Sequence, residues 1–130
     1  DIYKIMVYDL ARWRNANVPS DSLGPTDKPI PENIITKAPS AELRPDQTDQ
    51  DSLPPYEDLD QILLGLVEEE RSLAEIIALG HDASTVRRIA RLLAVAEYKR
   101  RQAPPGVKIT RKSFGRDRRY PITNRFTEQV

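Results

Sequence analysis

Sixteen residues, Lys37-Ala38-Pro39-Ser40-Ala41-Glu42-Leu43-Arg44-Pro45-Asp46-Gln47-Thr48-Asp49-Gln50-Asp51-Ser52, hold the densest set of side chains able to do chemistry. A lysine, an arginine, hydroxyls and closely spaced carboxylates on an irregular backbone can neutralise phosphates and hold polar substrate groups. A solvated, acidic proline loop is the plainer reading of the same composition. A second cationic group, Lys99-Arg100-Arg101, closes a helical pattern, where positive charge suits the macrodipole as well as it suits a ligand. Other chemistries are excluded by residue type. The chain has no Cys, so thiolate nucleophiles, thiolate metal sites and disulfides are out. Its one His, His81, cannot build a histidine metal site alone.

The elements that must position these groups are helices and loops. Residues 1–16 read as a helix, with Tyr3, Met6, Val7, Leu10 and Trp13 at helical spacing. Residues 17–55 form a proline-rich loop carrying eight of the eleven prolines. Proline removes a backbone donor and restricts its predecessor, so regular structure there must be short. One helical turn at residues 31–35 is the expected exception. Residues 56–102 return to helix. Pro55 opens a stripe of Leu59, Ile62, Leu63, Leu66 and Val67. Ser72 and Glu75 have capping-box spacing before a short helix that ends at Gly80. A last helix is predicted from residues 82–84 to about residue 101, with Val86, Ile89, Leu92, Leu93 and Ala96 on its apolar side. Residues 103–130 are an irregular basic tail.

With 130 residues, 38% hydrophobic and 31% charged, the chain has the length of one domain and a thin core. It starts directly on a helix, as a piece cut from a longer domain would. It carries neither a secretory signal nor an apolar run of membrane-spanning length, so an intracellular, cytoplasmic protein is the expectation. The net charge of zero conceals segregation. Residues 40–82 carry twelve acids against two arginines, a net −10, and residues 97–130 carry ten bases against three acids, a net +7. That basic stretch needs an anionic partner: phosphates, nucleic acid or the protein's own acidic segment.

Three separated matches then point one way. Lys37-Ala38-Pro39-Ser40-Ala41-Glu42-Leu43, followed by Asp46, Asp49 and Asp51 and by Tyr56 opening a helix, resembles the K-x-P-[ST]-A-[DE]-L loop of NAD+ synthetases. Ala96-Glu97-Tyr98-Lys99-Arg100 resembles the T-E-H-K-R segment of the ammonia-only members, with Tyr98 in place of the His as in glutamine-dependent bacterial members. The tail Gly115-Arg116-Asp117-Arg118-Arg119-Tyr120-Pro121 is also similar to theirs.

The resemblance implies the C-terminal part of a glutamine-dependent synthetase domain. The parent would be a doubly wound α/β domain of the adenine nucleotide alpha hydrolase-like type, of which this stretch supplies mostly helix and loop. It implies ATP-dependent amidation of deamido-NAD with ammonia from glutamine, through an acyl-adenylate. Lys37, Ser40, Asp51 and Ser52 are then expected at ATP. Asp49-Gln50-Asp51-Ser52 stands where other members read D-E-T, so its hydroxyl is displaced by one position. Lys99, Lys4 and Glu42 are expected at deamido-NAD. No catalytic residue and no metal ligand is expected within the chain. The S-G-G-x-D-S phosphate loop and the acidic residue for Mg2+ are not in this sequence, so the Mg2+ ligands are expected outside it. The stretch alone is expected to be inactive, with helical stripes that lack their sheet. A homo-oligomer and the rest of the synthetase and glutaminase domains are the expected partners, with no membrane.

Two rival readings use the same residues. Residues 72–93 read as a helix-turn-helix nucleic-acid module, with Ser84, Thr85, Arg87 and Arg88 facing DNA. The adjoining acidic run would repel DNA, so no nucleic-acid partner is expected. A helical subunit-interaction piece without a ligand is compatible with the apolar stripes.

Overall fold

A computed structural model describes residues 2–40, 45–112 and 115–126. Among them are six α-helices, one 3-10 turn and no strand. The helices are α1 (Lys4–Ala16), α2 (Glu32–Thr36), α3 (Tyr56–Val67), α4 (Leu73–Ala78), α5 (Ala83–Val95) and α6 (Glu97–Gln102). The chain divides into two compact units, Tyr3–Tyr56 and Glu57–Val130 with the first two residues.

In the Tyr3–Tyr56 unit, side chains close a backbone that prolines keep from pairing with itself. The Asn15 amide donates to the Ile30 carbonyl at 2.8 Å and accepts from the Ile30 N–H at 3.0 Å. Arg14 donates to the carbonyls of Asn17 and Pro25. The turn expected near residue 31 is α2, which buries Ile35 and packs with α1. The apolar stripe of α1 is left open, with Leu10 46% and Trp13 53% exposed.

The Glu57–Val130 unit is built as an apolar core should be. Leu59, Ile62 and Val67 of α3 are buried together with Leu73, Ile76, Val86, Ile89 and Leu93. Gly65 is buried on α3, and a Cβ there would stand 3.2 Å from two carbons of Ile76, so the helix needs the missing side chain for close approach. The capping box at the start of α4 is formed: Ser72 accepts from the Glu75 N–H, and the Glu75 carboxylate takes the Ser72 N–H at 2.8 Å. Gly80 leaves α4 with a φ of +102°, which costs only glycine nothing. Asp82 then caps α5 through the Thr85 N–H at 2.8 Å.

The single helix predicted from residues 82–84 to about 101 is two helices. Ala96 has φ −77° and ψ 4°, too flat to propagate the helix, and α6 starts on the next residue. The cause is Glu97. It is 1% exposed, and its carboxylate pairs with Arg100 and Arg101. Arg100 reaches back to the Leu93 carbonyl at 3.0 Å and satisfies an acceptor at the end of α5.

Lys112 of the basic tail meets the acidic segment. The Lys112 N–H donates to Glu68 at 3.0 Å, and its ammonium pairs with Glu70. The hydrogen bond from the Lys112 ammonium, then its charge, holds the Glu70 carboxyl below its ordinary range.

Candidate functional site

The 37–52 segment is drawn together by its own polar groups. Lys37 caps the C-terminus of α2, with its N–H on the Asn33 carbonyl at 3.0 Å, and its side chain is exposed. A cation at this electronegative helix end is favourably placed. Two residues on, the Pro39 carbonyl accepts from the Asp49 N–H at 2.9 Å. That bond sets the extended segment carrying Lys37 and Ser40 beside the 3-10 turn Asp49–Asp51.

The turn is fixed by a capping box that sequence reading did not find. Thr48 gives its N–H to Asp51 at 2.8 Å and its hydroxyl to the same carboxylate at 3.1 Å. Ser52 donates its hydroxyl to the Asp49 carbonyl at 3.3 Å. Asp51 and Ser52, both expected at ATP, therefore shape the turn with the groups they would offer a ligand. Asp49 was not singled out as a site residue, yet its carboxylate accepts the Tyr56 hydroxyl. Lys4 is also part of this assembly, its ammonium 5.3 Å from the Tyr8 ring centre and 5.9 Å from that of Tyr56. Thr48-x-x-Asp51 has the spacing of Ser72-x-x-Glu75, and that was the available signal. Glu42 lies outside the described residues.

Lys99 belongs to the other unit and is treated by itself. It is exposed on α6, with its ammonium 6.0 Å from the Tyr98 ring centre. It sits on a separate short helix, not at the end of a long one, and Glu97 fixes that helix. Burial would raise the pKa of Glu97, but Arg100, the Tyr120 N–H and Arg101 together hold it below its ordinary value. Arg101 also donates to the Tyr120 carbonyl at 3.1 Å, so residues 115–120 are joined to α6 at two points.

The two helices of the helix-turn-helix reading, α4 and α5, pack on each other. Its polar readers are not free. Ser84 and Thr85 both give their hydroxyls to Asp82, at 2.5 and 2.9 Å. Among the described residues no group of three or more His, Asp or Glu side chains could hold a metal ion, so no step is derived through Mg2+. No helix among them is long and apolar enough to cross a membrane.

The comparison with protein families is decisive: the model described as NAD synthase matches residues 1–103. The chain belongs to the NAD synthase family. It is 51% identical over 129 residues to the glutamine-dependent NAD(+) synthetase of Rhodobacter capsulatus, covering 99% of this chain and 23% of that protein. It is 51% identical over 126 residues to that of Aquifex aeolicus, covering 97% and 21%. A solved structure of the Acinetobacter baumannii glutamine-dependent NAD+ synthetase, in complex with adenosine diphosphate, matches with a TM-score of 0.57 at 38% identity. It covers 100% of this chain and 21% of that one. The chain thus spans between a fifth and a quarter of the length of the curated relatives named here. Within the NAD synthase match fall Lys4, Lys37, Ser40, Asp51, Ser52 and Lys99, while residues 104–130 lie beyond it.

Proposed function

We propose that this chain is the C-terminal part of the synthetase domain of an enzyme that converts deamido-NAD to NAD+ with ATP and with ammonia released from glutamine. The observation that carries the reading is the family match over residues 1–103, within which the Asp49-to-Pro39 hydrogen bond joins the Lys37 segment to the acidic turn. ADP bound in the related Acinetobacter enzyme supports an adenine nucleotide as the ligand. The parent fold in this reading is the doubly wound α/β domain, in a cytoplasmic enzyme. The open apolar face of α1 supports burial against the rest of that domain or a second subunit.

The nicotinate carboxylate is a poor acceptor for ammonia. One of its oxygens attacks the α-phosphorus of ATP and pyrophosphate leaves, giving an acyl-adenylate. Ammonia attacks the acyl carbon, loses a proton and expels AMP. Negative charge grows on the phosphates in the first step, where a fixed cation is most effective. Lys37 is that cation, and Ser40, Asp51 and Ser52 form the wall of the same loop. The acyl-adenylate is open to hydrolysis, and a proline-rich loop that closes over it excludes water. Lys4, Glu42 and Lys99 bind deamido-NAD. The described residues contribute binding and positioning, none of them covalent chemistry, and the chain alone is inactive.

Lys37→Ala in the intact enzyme is expected to raise the adenylation barrier by about 2–4 kcal/mol. Pyrophosphate release should fall equally with glutamine and with free ammonia. A defect confined to glutamine would place Lys37 in ammonia transfer and overturn its assignment. Lys99→Ala should raise the KM for deamido-NAD and leave that for ATP unchanged. An unchanged deamido-NAD KM with a lower melting temperature would reduce Lys99 to a helix-capping charge.

A further inference from the structure

We infer that Tyr56 is a positioning residue that couples the two substrate ends of the Tyr3–Tyr56 unit, its hydroxyl serving the ATP loop and its ring serving Lys4. The inference rests on the function proposed above and assigns a role that reading does not contain. Tyr56 opens α3 and is half-buried. Its hydroxyl donates to the Asp49 carboxylate, a charge-assisted bond stronger than a neutral one. Asp49 is the knot of the acidic turn. Its N–H holds the Pro39 carbonyl at 2.9 Å, and its own carbonyl accepts from the Ser52 and Leu53 N–H groups at 3.1 and 2.9 Å. Fixing the Asp49 side chain therefore fixes where the turn lies against the Lys37 segment.

The ring of the same tyrosine faces the Lys4 ammonium, with Tyr8 supplying a second ring. A lysine stem carries several free rotors, and two aromatic faces confine its charge without neutralising it. The two rings hold the Lys4 ammonium in place for an anionic or carbonyl oxygen of the ligand. One side chain thus touches both the Asp49 turn and Lys4, which are forty-five residues apart in the chain.

The two contacts can be removed separately in the intact synthetase, with initial rates measured against ATP and against deamido-NAD and with thermal unfolding of each variant. Tyr56→Phe keeps the ring and loses the hydroxyl, and should raise the ATP KM about tenfold while leaving the deamido-NAD KM in place. Tyr8→Leu should do the reverse, raising the deamido-NAD KM about threefold and leaving ATP unchanged. Tyr56→Leu should raise both. If Tyr56→Phe lowers the melting temperature and moves neither KM, or moves both alike, the coupling role is overturned. Lys37→Ala and Lys4→Ala separate this failure from that of the underlying reading. If Lys37→Ala leaves pyrophosphate release unchanged and Lys4→Ala leaves the deamido-NAD KM unchanged, the site assignment itself is wrong. If both change and Tyr56→Phe moves neither KM, only the role of Tyr56 falls.

Discussion

Among the described residues the Tyr3–Tyr56 unit buries one large apolar side chain, Ile35, and the Glu57–Val130 unit buries eight. The first is held by side chains on backbone groups, Asn15 on Ile30, Arg14 on Pro25 and Asp51 on Thr48, and by the Tyr56 hydroxyl on the Asp49 carboxylate. The second is held by interlocked aliphatic side chains and a buried ion pair. The difference has a physical logic. In the proposed function, a loop that opens for substrates and closes over a reactive intermediate is not cemented by apolar burial, because each opening would expose that surface to water. Hydrogen bonds to polar groups are exchanged for water at small net cost. The apolar unit can stay rigid and carry Lys99 on a fixed helix.

The sharpest test of that contrast is Glu97. Replacing it by Ala leaves Arg100, whose side chain is 8% exposed, buried with a lost counter-charge. Chemical denaturation should show a loss of about 3–5 kcal/mol, well above any single polar tie in the other unit. A loss under 1 kcal/mol would mean that apolar packing alone sets the stability of this unit. Next in size is the pair Ile62→Ala and Ile35→Ala. Ile62 is 0% exposed and Ile35 8%. The first should cost about 3–4 kcal/mol and the second about 2 kcal/mol or less, because the shallower site leaves less of a cavity. Equal losses would erase the contrast.

The smallest effect is a pH dependence confined to the apolar unit. Asp82 is held down to about 2, first by the Ser84 hydroxyl, then by the Thr85 N–H and hydroxyl. Its folded pKa lies below the ordinary 3.8, so its contribution is complete above 3.8 and is lost as pH falls through about 2. Acid titrations of stability should therefore show Asp82→Asn less stable than the parent at neutral pH, with the two converging near pH 2. Parallel curves across that range would remove Asp82 from the cap.

Local features were legible in the residues themselves. The Ser72–Glu75 box, the α3 stripe, the turn near residue 31 and the glycine stop at residue 80 each follow from neighbours a few positions apart, and each is present. The K-A-P-S segment, the acidic turn and Lys99 drew attention for the same reason. What escaped depends on partners far away in sequence. A glutamate beside a run of basic residues reads as a surface charge, and only the Tyr120 N–H and the fold around Arg100 make Glu97 an interior group. Asp51 and Ser52 offered ligand chemistry on paper, while the folded turn uses both to cap itself. The Asn15 bridge to Ile30 has no local signature at all.

That bridge has an evolutionary consequence. By pinning both backbone groups of Ile30 to one amide, Asn15 closes residues 16–29 into a separate ring, out of which Leu23 projects wholly into solvent. Lengthening such a ring costs only loop entropy, which grows slowly with size. Insertions and deletions can accumulate on that side of the clasp without altering where Ile35, Lys37 and the acidic turn begin. On the other side, the spacing from α2 to the Pro39 carbonyl and from Asp49 to Tyr56 is counted out by helix and turn bonds, so a change of one residue within either run would break register. The proline-rich stretch is thus half ornament free to drift in length and half ruler.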